Sequence, residues 1–188
     1  MADRFILAVG NCLFALLLAS IPCSAVIVDR IAVVVDDRVV KDSDITRDIR
    51  ITDFLNGDPL DFSEPARKKS AQRLIDQQLI RREVTVGGYT KATPEEADNF
   101  LDSIIKQRFQ GNHSEYEAAL QKYGITGEQL HAQLVWQITV LHFIEQRFRP
   151  AVMDSGPGVE KRVNELFEEW LDGAHQRAQI EYHETGLQ

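Results

Sequence analysis

Five histidines, His113, His131, His142, His175 and His183, are the side chains of this chain best suited to hold a metal or move a proton. Their spacing argues against a metal. His131 and His142 share one helix face but lie eleven residues apart. That separation rises about 16 Å along a helix, far beyond the reach of two ligands on one ion. Glu168, Glu169 and Asp172 offer carboxylates for acid–base work, but they fall on the polar side of an amphipathic segment, where a solvated face is expected. Tyr182 and His183 fit an alternating strand better than a catalytic pair. The sequence carries no G-x-x-x-x-G-K-S/T loop to cradle a nucleotide and no G-x-S-x-G nucleophile turn. Its only cysteines, Cys12 and Cys23, lie in the first 25 residues, which read as a removable leader. The expectation is therefore no catalytic residue, no metal ligand set and no cofactor.

What remains is apolar surface, whose chemistry is binding. Large apolar residues near helix ends, or away from the main apolar stripes, are the candidates for contacting an unfolded polypeptide. They are Phe54, Leu55, Phe62, Tyr89, Phe109, Tyr116, Phe143 and Met153. Each is also an ordinary core candidate, since residues of these types are usually inside. As a set they exceed the aromatic content that a minimal core needs.

The elements that must position these residues begin after the leader. Arg4 precedes an apolar run from Phe5 to Ile21, and Cys23 and Ala25 are small residues suited to cleavage after Ala25. The run approaches the length of a membrane span, so an uncleaved anchor is the alternative; Asn11 and the small-residue exit favour cleavage. Ile21-Pro22 fits a lipid-anchor signal poorly. The remaining 26–188 is expected to form a single domain without disulfides, held by its core alone. Its net charge is −8, which disfavours nucleic acid and anionic lipid as partners. The basic residues Arg67, Lys68, Lys69, Arg73, Arg81 and Arg82 follow helical spacing and read as a solvated helix face.

Ile31–Val35 and Val39–Lys41 flank Asp36-Asp37-Arg38 and predict a hairpin whose turn needs a positive φ. Helices are expected from Ser43 to Asn56 and from Glu64-Pro65 to Gly87-Gly88, the second with Leu74, Ile75 and Leu79 inward. Three capping boxes follow, at Thr93–Glu96, Ser114–Glu117 and Thr126–Gln129. The first opens a helix with Phe100, Leu101, Ile104 and Phe109 on its apolar side, and the third opens one with Leu130, Leu134, Ile138 and Leu141. After a break at Pro150 and Gly156-Pro157-Gly158, Val159, Val163, Leu166, Phe167, Trp170, Leu171 and Ala174 mark a sixth helix. Arg177 to His183 then alternates as a strand, with Ala178, Ile180 and Tyr182 on one side. A lone hairpin is marginal in water. The terminal strand is therefore expected to pair with it, closing the chain's two ends into one small sheet. The fold class is mostly α (α+β): about six helices and a small sheet, built from 26–150 and a returning helix and strand at 159–188.

In this order, V-D-R-I-A-V-V-V-D-D-R-V-V-K-D-S-D-I resembles the opening of the SurA family of periplasmic chaperones. The segment from Leu74 to Ile80 is similar to that family's second helix. Phe148-Arg149-Pro150 and Arg177 to Tyr182 resemble the close of its helical core and its returning strand. The family's parvulin isomerase domains have no counterpart, because only Ala151 to Gly158 lies where they would stand. The resemblance implies an ATP-independent periplasmic holdase for unfolded exported proteins, outer-membrane β-barrel precursors above all, with no enzymatic activity. Extended clients could also add a strand at the sheet edge. Two alternatives stay open: a prolyl-isomerase-related protein, and a scaffold or homo-oligomer that uses its apolar faces for assembly.

Overall fold

The β-branched residues of β1 (Ile31–Val35) and β2 (Arg38–Lys41) pair antiparallel across a two-residue turn, with Val35 opposite Arg38. Asp36 takes the positive φ, at 52°. Short-side-chain acids tolerate that region better than most residues. Arg38 belongs to the strand, so the turn is one residue tighter than the sequence suggested. The computed structural model describes residues 29–152, 156 and 158–183. The leader and Met153 lie outside those residues. At the far end of the chain, β3 (Ile180–Tyr182) pairs antiparallel with β1, placing Val33 against Tyr182 and Val35 against Ile180. The sheet order is β2-β1-β3, so the two ends of the fold are joined as expected. The terminal strand is shorter than its alternation implied, because the preceding helix keeps Arg177.

Among the described residues six α-helices hang from this anchor: α1 (Asp42–Asn56), α2 (Glu64–Val86), α3 (Pro94–Arg108), α4 (His113–Tyr123), α5 (Gly127–Arg147) and α6 (Val159–Arg177). A 3-10 turn, Arg149–Ala151, follows α5. The Thr93/Glu96 and Thr126/Gln129 boxes open α3 and α5 as predicted. The box at Ser114–Glu117 does not form. Asn112 caps α4 instead, accepting from the Ser114 and Glu115 amides. Its side-chain oxygen sits two residues ahead of Ser114, where it meets the first free amides of the helix. At α1, Asp44 accepts the Lys41 amide, and Asp29 reaches across from the strand lead-in to accept both the amide and the hydroxyl of Ser43.

Two apolar clusters fill the interior. One joins the sheet, the start of α1, most of α2, the second half of α5 and α6. The other joins the end of α1, α3, α4 and the start of α5. The basic run on α2 is a solvated face only in part: Lys68, Lys69, Arg81 and Arg82 are exposed, whereas Arg67 and Arg73 are drawn in. Arg67 is buried and paired with Asp42, Arg73 holds the buried Asp48, and Arg82 reaches Asp36 at 2.7 Å. Asp42 and Asp48 of α1 face α2, so Arg67 and Arg73 turn inward to meet them, while Arg82 meets the hairpin's Asp36 at the surface. Phe100 and Leu141, expected on core-facing stripes, are exposed. Their stripes are wider than the surface that neighbouring helices cover.

Candidate functional site

Most of the aromatics proposed for binding are the interior. Phe54 is fully buried among Phe109, Tyr116 and Tyr123, whose ring centroids lie 5.6–6.4 Å away. Phe143 is equally buried, with Tyr89, Phe148 and Trp170 around it. Phe54, Tyr116 and Phe143 are thus core in this structure and are not presented to a partner. The physical reason is that each sits where three or more helices converge, and only a large ring fills such a junction at native packing density. Burial also raises the pKa of the Tyr116 hydroxyl, helped by the neighbouring Glu117. Leu55, Tyr89 and Phe109 are half-buried and packed on the clusters. Of the described candidates Phe62 alone is open, 41% exposed in the loop between α1 and α2, with the Arg50 guanidinium 5.8 Å from its ring centre.

Three of the five histidines tie helices together in separate pairs. His131 lies 3.1 Å from Asp98, His142 3.2 Å from Glu96, and His175 2.6 Å from Asp76. Among the described residues no group of three His, Cys, Asp or Glu side chains could hold a metal ion. Glu168, Glu169 and Asp172 line an exposed acidic face of α6.

A concavity with an apolar lining lies elsewhere, between α1, α2 and the start of α5. It encloses about 680 Å³. Val40, Ile51 and Leu74 give it an aliphatic lining, and Gln77, Gln78, Gln129 and Gln133 give it amides. Helical spacing puts Leu74, Gln77, Gln78 and Arg81 on one face of α2, and Gln129, Ala132 and Gln133 on one face of α5. Its acids are largely engaged. Asp48 accepts from Ser70 and Arg73, and Asp44 from the Lys41 amide and Arg47. Gln129 closes the α5 cap. Gln78 is not engaged: its Oε1 is shut from solvent and meets no donor. A buried acceptor left unpaired costs about 1–3 kcal/mol. None of these glutamines was singled out from the sequence. The adjacent pair Gln77-Gln78 beside an apolar stripe was the available signal.

A scan against protein-family models and a search of the curated proteins each found no match. Among the described residues no helix is long and apolar enough to cross a membrane.

Proposed function

We propose that this chain is an ATP-independent periplasmic holdase that binds unfolded exported polypeptides, outer-membrane β-barrel precursors among them, without covalent chemistry. The observation that carries this reading is the cleft between α1, α2 and α5. Its aliphatic lining accepts side chains of any apolar type. Its amides can both donate to and accept from a peptide backbone, which every client has. The leader-like first 25 residues and the resemblance of the 26–188 segment to the SurA family support export and chaperone function. The edge of β3 and the exposed Phe62 supply secondary contacts.

The test is aggregation of a denatured β-barrel protein diluted into buffer, followed by light scattering, with the 26–188 protein at equal concentration. Scattering is expected to fall sharply. Ala132 lines the cleft and is exposed, so Ala132→Trp fills the cleft without entering the core. That variant is expected to keep its circular dichroism and lose most of the protection. Scattering that rises equally fast with and without the protein overturns the reading and favours the scaffold.

A further inference from the structure

Beyond Arg81 the cleft continues into a second, smaller pocket of about 290 Å³ between α2, α5 and the hairpin. Arg81 and Ala132 line both. This pocket differs in charge from the rest of a chain that carries −8. Arg38, Arg81 and Lys91 line it, and no carboxylate does. Val84, Val135 and Trp136 supply its apolar wall.

The three cations have no anionic partner among the described residues, whereas Arg67, Arg73 and Arg82 on the same helix α2 each have one. The nearest acid on the hairpin turn, Asp36, is committed to Arg82 and to the Gln179 amide. The Arg81 guanidinium carbon lies over the Trp136 ring, 3.8 Å from its centre. Stacking uses the face of the guanidinium and leaves its N–H edge free for a bidentate acceptor. Its pKa is held below the ordinary arginine value, first by desolvation and then by the like charge of Arg38. A bound anion relieves that repulsion. The pocket's hydroxyls are already used. Thr85 donates to the Arg81 carbonyl, and Thr139 donates to the Val135 carbonyl while accepting the Ala92 amide. The free polar groups are therefore cationic donors, which suit an acceptor with negative charge rather than a neutral polar ligand.

We infer that this pocket receives a carboxylate of an acidic client segment, with Arg81 gripping it edge-on while Arg38 and Lys91 close over it. This rests on the reading of the chain as a binder of unfolded polypeptide, and names the clients it prefers: apolar segments flanked by Asp or Glu. The adjoining cleft is lined by Asp44, Asp48 and Glu128 beside Arg47, so attraction for a carboxylate is concentrated at this end of the groove. It thereby fixes where along the cleft a bound segment lies.

The experiment is fluorescence anisotropy of the 26–188 protein with three labelled short peptides that share one Phe/Thr/Ser core and end in paired Glu, paired Gln or paired Lys. The Glu peptide is expected to bind about tenfold more tightly than the Gln peptide at low salt, with the gap narrowing as salt rises. Arg38→Gln and Lys91→Gln, both at exposed positions, are expected to shrink the gap while leaving the Gln peptide within about twofold of wild type. Arg81→Gln is expected to abolish it, and thermal melts show whether the loss of stacking on Trp136 also loosens the fold. Equal binding of all three peptides overturns the acid preference and leaves the holdase reading standing. Binding of none overturns both. A preference that survives Arg38→Gln and Lys91→Gln together also overturns the inference. So does co-sedimentation of wild type, but not of those variants, with phosphatidylglycerol vesicles, since it assigns the cations to lipid.

Discussion

At the scale of single residues, Asp48 and Glu96 show how carboxylates hold this fold. Asp48 is buried on α1 and is satisfied by the Ser70 hydroxyl at 2.7 Å and by both Nε and Nη2 of Arg73. Asp48→Ala leaves a hydroxyl and a partly buried guanidinium without an acceptor. It is expected to lower stability by about 3 kcal/mol, with Asp48→Asn costing less, as read from urea denaturation. Glu96 acts at the surface. The Thr93 amide donates to its carboxylate and holds its pKa below the ordinary value; partial desolvation opposes the shift, and the Thr93 hydroxyl and His142 reinforce it. A carboxyl whose pKa is depressed on folding stabilises the fold fully above its unfolded pKa, and loses that contribution as pH falls through the lower folded value. The start of α3 is therefore expected to be firm at neutral pH and to loosen below about pH 4. The Thr93 amide resonance in NMR is expected to follow that titration. Glu96→Gln keeps an acceptor for the cap, so it is expected to remove the pH dependence and not the helix. The Thr93/Glu96 box was legible in the sequence because a capping box is local. The Asp48 network was not. Periodicity gives the face of α2 on which Arg73 lies, but not the charge on the helix opposite.

At the scale of elements, the closing strand bears the most weight for its length. β3 is three residues long, yet it is flanked by two further backbone hydrogen bonds, from Asp36 to Gln179 at 2.8 Å and from His183 to Ala32 at 2.9 Å. The Asp36 carboxylate also accepts the Gln179 amide at 2.9 Å. The hairpin turn, α2 and the tail thus meet at one side chain. Removing residues 178–188 strips β1 of one of its two neighbours and leaves a hairpin that is marginal by itself. The expected result is loss of hydrogen-exchange protection across Val33 to Val35, together with a much lower thermal midpoint. Asp36→Asn keeps the turn geometry and an acceptor and loses only the charge on Arg82, so it is expected to cost under about 1 kcal/mol. Asp36→Ala, which loses both contacts and tolerates the positive φ poorly, is expected to cost about 2 kcal/mol. The pairing partner of β3 was readable, since a lone hairpin needs a third strand and the sequence offered one more alternating segment. The exposure of Tyr182, at 55%, was not. Alternation assigns Tyr182 to the same side as Ile180, but not how far the cover of the helices extends along an edge strand.

At the scale of the whole molecule, the two apolar clusters share their helices. α1 places Ile45 and Ile49 in the sheet-side cluster and Ile51 and Phe54 in the other. α5 places Leu130 and Leu134 in the second and Trp136 and Phe143 in the first. This division could not be read from helical stripes, which say that a residue is inward but not toward which neighbours. For the same reason the sequence nominated Phe54 and Phe143 as binding residues, when each is the ring on which a cluster is built. Members of both clusters form the floor of the cleft and its cationic end, Ile51 of one and Val40, Val84 and Trp136 of the other, so the geometry of the groove depends on both clusters being intact. Phe54→Ala is expected to cost about 3–5 kcal/mol. Both tryptophans belong to the sheet-side cluster, away from that substitution. If α1 and α5 couple the clusters into one cooperative unit, tryptophan fluorescence and far-ultraviolet circular dichroism of Phe54→Ala must shift to the same lower urea midpoint. Were the tryptophan transition to stay at the wild-type midpoint while ellipticity fell early, α3 and α4 would unfold separately. The α5 wall of the cleft would then be a yielding one, and client size rather than client charge would govern what it holds.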